Sequence, residues 1–200
     1  MSDNYERLVR ANLNRLYGDL PPDLAANLPA AHVGADGFEF EAFGTVCRIE
    51  PQGIRLDGAP EWGVRGVLVS LYALHANPAP CKEAPLKAYK DFPDSMPYTA
   101  AFASHTEQIL VPHVGRIEER LDRIRERLKS RDADPSFSGD FAFLVSPLPK
   151  IVLCYIFYRA DEEFPPSVTC LFSANARLFM PMDGLADVGE YMSRTILGLL

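Results

Sequence analysis

The stretch Ile151-Val-Leu-Cys-Tyr-Ile-Phe-Tyr158 carries a hydrophobic or aromatic side chain at every position. A strand with one wet face alternates apolar and polar residues, because successive side chains point to opposite sides. An unbroken apolar run of this length is a strand covered on both faces, which places it at the centre of a sheet. Upstream of it, Phe141 to Ser146 reads as a neighbouring strand, joined through the Pro147-Leu-Pro149 corner. Downstream, Ser167 to Phe172 reads as a third.

Between the second and third of these runs lies the most distinctive stretch of the chain, Tyr158-Arg-Ala-Asp-Glu-Glu-Phe-Pro-Pro-Ser167. If its backbone stays extended, Asp161 and Glu163 share a face with Cα atoms roughly 6.5 Å apart. That spacing suits a divalent cation held by hard oxygen ligands, or a carboxylate pair in acid/base work. Arg159 is placed to temper the charge. The plainer reading is a solvent-exposed connection, with acids guarding a sheet edge and prolines limiting the ladder. Asp161, Glu162, Glu163 and Arg159 are the candidate ligand- or partner-binding residues.

A second β region starts at Phe38. Phe38, Phe40 and Ala42 alternate with Glu39 and Glu41, and Val46 to Ile49 and Ile54 to Leu56 follow across Gly44 and Pro51-Gln-Gly53. Short alternating runs punctuated by Gly and Pro predict an antiparallel meander. Helices surround these strands. Tyr5, Leu8, Val9, Leu13 and Leu16 mark one in an N-terminal helical segment over 1–34, with Ser2 or Asp3 as its cap. Val64, Val67, Leu68, Leu71, Tyr72 and His75 mark another, and Tyr98 to Val111 a third. Leu185, Val188, Met192, Ile196 and Leu199 mark the last. Residues 77–97 hold prolines at 78, 80, 85, 93 and 97 and predict a long irregular loop, and Asp132 to Ser136 a turn.

The segment 113–130 spaces Val114, Ile117, Leu121, Ile124 and Leu128 by threes and fours. This stripe is a candidate homodimer seam. Two heptads fall short of the three or four that a free-standing coiled coil needs, so packing on the chain's own sheet is favoured. The expected fold is one α+β domain over 1–200. Its antiparallel or mixed sheet is built from the 38–56 and 141–172 strands, with helices mainly on one face.

Hydrophobic residues make up 48% and charged residues 24% of the chain, ordinary for a globular protein. A net charge of −7 repels a phosphate backbone, and the basic residues of Arg116 to Arg131 alternate with acids as on a solvated helix face. Nucleic acid is therefore not an expected partner. Neither is a membrane, since no apolar run approaches the roughly 18 to 20 residues that span one. The N-terminus has no signal-peptide pattern, and Cys47, Cys81, Cys154 and Cys170 stand far apart, which predicts a cytoplasmic protein with reduced thiols.

Motifs that commit a chain to a reaction are missing. There is no phosphate-binding glycine loop, and neither Ser104 nor Ser146 lies in a nucleophile elbow. His32, His75, His105 and His113 are scattered and form no metal triad by spacing. Cys154 and Cys170, in apolar strands, read as small core residues. Cys81 lies in the Pro-rich loop, where a thiolate nucleophile needs a His or basic partner folded against it. Local spacing supplies none.

Taken together, Pro147-Leu-Pro149, Asp161-Glu-Glu-Phe-Pro-Pro166, Thr169-Cys-Leu-Phe172, Leu178 to Pro181 and the helix with Leu185 and Gly189 resemble the family called domain of unknown function 3786. Val67 to Tyr72 and the segment leading to Tyr98 and Phe102 are similar too. The resemblance implies a prokaryotic cytosolic protein of anaerobic or related metabolism, with no activity or catalytic residue to carry over. The chain departs from the family pattern at Ser173, where an Asp is more usual, which weakens a metal role shared with Asp161 and Glu163.

The function expected from these features is a non-catalytic binding or accessory protein recognising a small molecule, cofactor or partner protein. The alternatives are a metal-assisted enzyme using Asp161 and Glu163 with His105 or His113, and a structural homodimer.

Overall fold

The computed structural model describes residues 2–134 and 139–200, with side chains from residue 4 onward. The side chains of Ser2 and Asp3, the expected caps, and the end of the turn over 132–136 lie outside what is described. In chain order, α1 (Ser2–Gly18) and the single turn α2 (Leu24–Asn27) lead into β1 (Ala31–Val33), β2 (Gly37–Ala42), β3 (Thr45–Glu50), β4 (Gly53–Leu56) and β5 (Ala59–Pro60). After α3 (Val64–Leu74) come β6 (Lys87–Ala88), α4 (Thr99–Phe102), α5 (Val114–Glu119), α6 (Leu121–Leu128) and β7 (Arg131–Asp132). The chain ends with β8 (Phe141–Leu148), β9 (Ile151–Tyr158), β10 (Ser167–Phe172) and α7 (Met182–Leu197).

The chain is α+β, as expected, but its strands form two antiparallel sheets rather than one. The first runs β1-β2-β3-β4-β5 and the second β6-β10-β9-β8-β7. The first is a pure meander with tight corners. Phe43 and Gly44 (φ 52° and 76°) turn β2 into β3, and Asp57 and Gly58 (φ 49° and 77°) turn β4 into β5. Two consecutive positive φ values match the right-handed twist of a hairpin, which is why Gly takes the second site each time. The sheets touch where the Phe43 N–H donates to the Pro147 carbonyl at 2.7 Å. They do not merge, because β2 turns away at that residue.

β9 is the central strand its composition predicts, with β10 on one side and β8 on the other. Leu153, Tyr155 and Phe157 join the main core with Phe143, Val145 and Phe172, and α7 packs there through Leu185, Val188, Met192 and Ile196. Leu153 is fully buried, so truncating it to Ala costs about 2–5 kcal/mol.

The 113–130 helix is broken at Arg120 (φ −107°, ψ 12°) into α5 and α6. Val114, Ile117 and Ile124 lie in the chain's own core and Leu121 and Leu128 pack against it, so the stripe is covered from within. The helix expected over 98–111 becomes α4 continued by a π-helical segment, Ala103–Gln108. A π turn widens a helix and re-aims the side chains it carries.

The Pro-rich segment is laid down as a cover. β6 pairs with the end of β10, at Leu171↔Ala88 and Phe172↔Lys87. Tyr89 stacks on Phe102 with ring centroids 4.3 Å apart. Among the described residues no helix is long and apolar enough to cross a membrane. All four cysteines are unbridged.

Candidate functional site

The acidic connection closes on itself. Asp161 Oδ1 accepts from the main-chain N–H of Glu163 (2.8 Å) and of Phe164 (2.7 Å), and the Asp161 N–H donates to the Phe164 carbonyl at 3.0 Å. Asp161, Glu162 and Glu163 face solvent, and Phe164 is 66% exposed. Arg159 turns away from this run. Its Nε donates to Glu118 Oε2 at 2.9 Å and its Nη1 to Asp140 Oδ1 at 3.2 Å, and the Arg159 guanidinium holds the Glu118 carboxyl below its ordinary value.

The histidines are dispersed as well. His105 Nδ1 meets Glu190 Oε2 at 3.2 Å, while His75 ends α3 exposed, its Nδ1 2.9 Å from the Leu71 carbonyl. Among the described residues no three His, Cys, Asp or Glu side chains converge where a metal could be held. Cys154 and Cys170 are core thiols, as their strands predict; burial pushes Cys154 up to about 11 and Cys170 well above its ordinary value.

Convergence occurs at Cys81, where the folded chain supplies the basic partner that local spacing lacks. Four elements meet there: the end of α3 with Tyr72, the loop Asn77–Cys81, the β8–β9 turn with Lys150, and the segment after β10 with Ser173 and Asn175. The Asn175 side chain clamps the loop on either side of Cys81, accepting from the Lys82 N–H at 2.8 Å and donating to the Pro80 carbonyl at 2.9 Å. The Ala174 N–H adds a bond to the Lys82 carbonyl at 2.7 Å. Ser173 is fixed by β9, its N–H donating to the Val152 carbonyl at 2.8 Å and its Oγ accepting from the Val152 N–H at 3.3 Å.

Lys150 is the one charged side chain buried among the described residues, at 6% exposure. Its ammonium lies shallow, beneath the loop rather than deep in the core. Nζ donates to the Asn77 carbonyl at 2.6 Å and sits 5.4 Å from the Phe179 ring centroid. It joins none of the ion pairs among the described residues. Its cover lowers the ammonium's pKa, and the neighbouring Cys81 sulfur works against that shift. The Cys81 thiol is half-buried; burial, with a contribution from the Glu83 carboxylate, raises its pKa, while the Ser173 hydroxyl, Arg131 and Lys150 draw it down. The Tyr72 hydroxyl is fully buried and its O–H meets no acceptor; the Lys150 backbone approaches its oxygen and the Cys81 sulfur is within electrostatic range.

The chemistry of this set is one-sided. Lys150 brings N–H donors, Tyr72 and Ser173 bring O–H donors, and Cys81 brings a weak S–H donor. The Asn77 carbonyl is the acceptor among them. A donor-rich cluster around a cation that joins no ion pair suits an oxyanion. The thiol is held protonated, which disfavours resting nucleophilic catalysis.

Lys150 left one trace in the sequence: it is the only charged residue between Asp140 and Arg159, set in a Pro-flanked corner of otherwise apolar strands. The family model described as a domain of unknown function (DUF3786) matches residues 21–195. No curated protein matches the chain, and no solved structure does.

Proposed function

The chain belongs to this family of unknown function, and we propose that it is a cytoplasmic, non-catalytic binding protein for a small molecule bearing a carboxylate or phosphate group. The observation that supports this most is Lys150, a residue only 6% exposed whose ammonium has no carboxylate partner among the described residues. Covering an unpaired charge costs free energy that packing alone does not explain, and such groups concentrate at functional sites. An oxyanion between Lys150, Tyr72, Ser173 and Cys81 supplies the missing charge and accepts the Tyr72 O–H. The unbridged cysteines support the cytoplasmic assignment.

Native purification followed by mass spectrometry under non-denaturing conditions tests this. A co-purifying anionic metabolite is expected on the wild type and absent from Lys150→Met. A ligand that lacks an acidic group, or that stays on the variant, overturns the proposal.

A second reading, protein-partner recognition through Asp161, Glu162 and Glu163, is favoured by the 66% exposure of Phe164 on its self-closed turn. Its test is a partner recovered with the wild type and lost with Phe164→Ser.

A further inference from the structure

A cleft of about 320 Å³ opens where α1, α3 and α7 meet, on different residues from the Lys150 site. Its floor is apolar: Val64, Val67 and Leu68 from α3, with the Tyr191 ring from α7. Tyr5 of α1 also lines it. Tyr5, Val64, Val67 and Leu68 belong to stripes that predict core packing, yet Tyr5, Val64 and Val67 remain part-exposed along the cleft, as does Tyr191. α1 lies outside residues 21–195, so Tyr5 is a lining residue contributed from beyond the matched region of the family.

The rim is charged on the α7 side by Asp187, Glu190 and Arg194. Glu190 is already engaged, its Oε1 accepting from Arg194 Nε at 2.8 Å and its Oε2 standing 3.2 Å from His105 Nδ1. That network consumes the rim cation. The Asp187 carboxylate joins no ion pair or hydrogen bond among the described residues, and its acidic neighbours are Asp183 and Glu190. The cleft therefore presents an apolar floor with one unanswered carboxylate at its edge. Pockets that bind small molecules have this composition, an apolar body with few convergent polar groups that fix orientation.

We propose that this cleft is a binding site for a small organic cation: an aromatic or branched aliphatic body on Val64, Val67 and Leu68 beside the Tyr5 and Tyr191 rings, and an ammonium against Asp187. The rings add cation–π attraction to an ammonium passing over their faces. Helix α1 then acts as a specificity element, since removing the Tyr5 ring strips part of the lining while leaving the carboxylate in place.

The test is titration of the full chain at neutral pH with 2-phenylethylamine, 2-phenylethanol and 3-phenylpropionate, followed by calorimetry and by amide chemical shifts along α3 and α7. Saturable binding of the amine is expected, at least tenfold tighter than the isosteric alcohol, with no binding of the acid. Asp187→Asn, at an exposed position that does not threaten the fold, is expected to weaken the amine tenfold or more and leave the alcohol unchanged. Tyr5→Ala is expected to weaken both, and Lys150→Met neither. Equal affinity for amine and alcohol, undiminished amine binding by Asp187→Asn, preference for the acid, or no binding of the amine at millimolar concentration would each overturn the proposal.

Discussion

Lys150 Nζ and the carbonyl oxygen of Asn77 lie 2.6 Å apart across 73 positions of sequence. This bond ties the hairpin turn of the central strand to the start of the Pro-rich loop, and it holds an ammonium within electrostatic range of the Cys81 thiol. Because Lys150 draws the thiol pKa down, Lys150→Met raises it. The variant is expected to keep its fold, since an apolar chain of similar length replaces a covered charge. Iodoacetamide alkylation of Cys81 at pH 8 should be slower than in the wild type, read by intact-protein mass spectrometry. An unchanged rate would separate the two residues electrostatically.

Asn175 holds both flanks of Cys81, so Asn175→Ala is expected to loosen the loop while leaving the sheets intact. Two exposed hydrogen bonds are lost, at a cost of about 1 kcal/mol in denaturant unfolding. Cys81 alkylation should accelerate at the same time. Stability loss without faster alkylation would show that the clamp does not govern access to the thiol.

Glu107, carried on the π segment, accepts from the Cys170 N–H at 2.9 Å, one residue before β6 begins to pair with β10. Burial raises its carboxyl above the ordinary 4.5, with the Cys170 N–H and Lys90 opposing the shift. The folded state therefore holds its proton to a higher pH than the unfolded chain. Stability from this group is present below pH 4.5 and is lost as pH rises through the folded-state value. Glu107→Gln keeps an oxygen for the Cys170 N–H and removes the charge. Urea unfolding from pH 4 to 7 should show the variant gaining on the wild type as pH rises. A constant difference would contradict this assignment.

Gly189 of α7 faces the π segment at close range. A Cβ there would stand 2.7 Å from Phe102 Cε2 and 3.0 Å from Thr106 Oγ1. Alanine gains about 1 kcal/mol of helix propensity, whereas overpacking a core costs about 1–3 kcal/mol. The clash should win, and Gly189→Ala is expected to lower the melting temperature. A rise would mean that the helix pair has room to part.

Strand periodicity carried much of the fold. β9 announces its central place because an unbroken apolar run has no wet face, and the β2–β4 meander follows from alternation broken at Gly44 and Gly53. The division into two sheets was not legible, because it depends on β2 turning at Phe43 rather than on the composition of any strand. The break at Arg120 was hidden by a hydrophobic stripe that continues through it. For the site, sequence distinctiveness pointed to Asp161 to Glu163, whose acids face solvent on a turn closed by Asp161. Cys81 was visible as a thiol in want of a basic neighbour. That neighbour, Lys150, lies 69 residues along the chain, and only the β8–β9 hairpin and the Asn175 clamp bring the two together.

The central claim, that Lys150 and its hydroxyl and thiol neighbours form an oxyanion site, is tested most directly by thermal unfolding in sodium phosphate against sodium chloride of matched ionic strength. The wild type should show a saturable rise in midpoint with phosphate, as binding to the folded state alone requires, and Lys150→Met should show none. Parallel rises in the two proteins would mark a general salt effect and contradict the assignment.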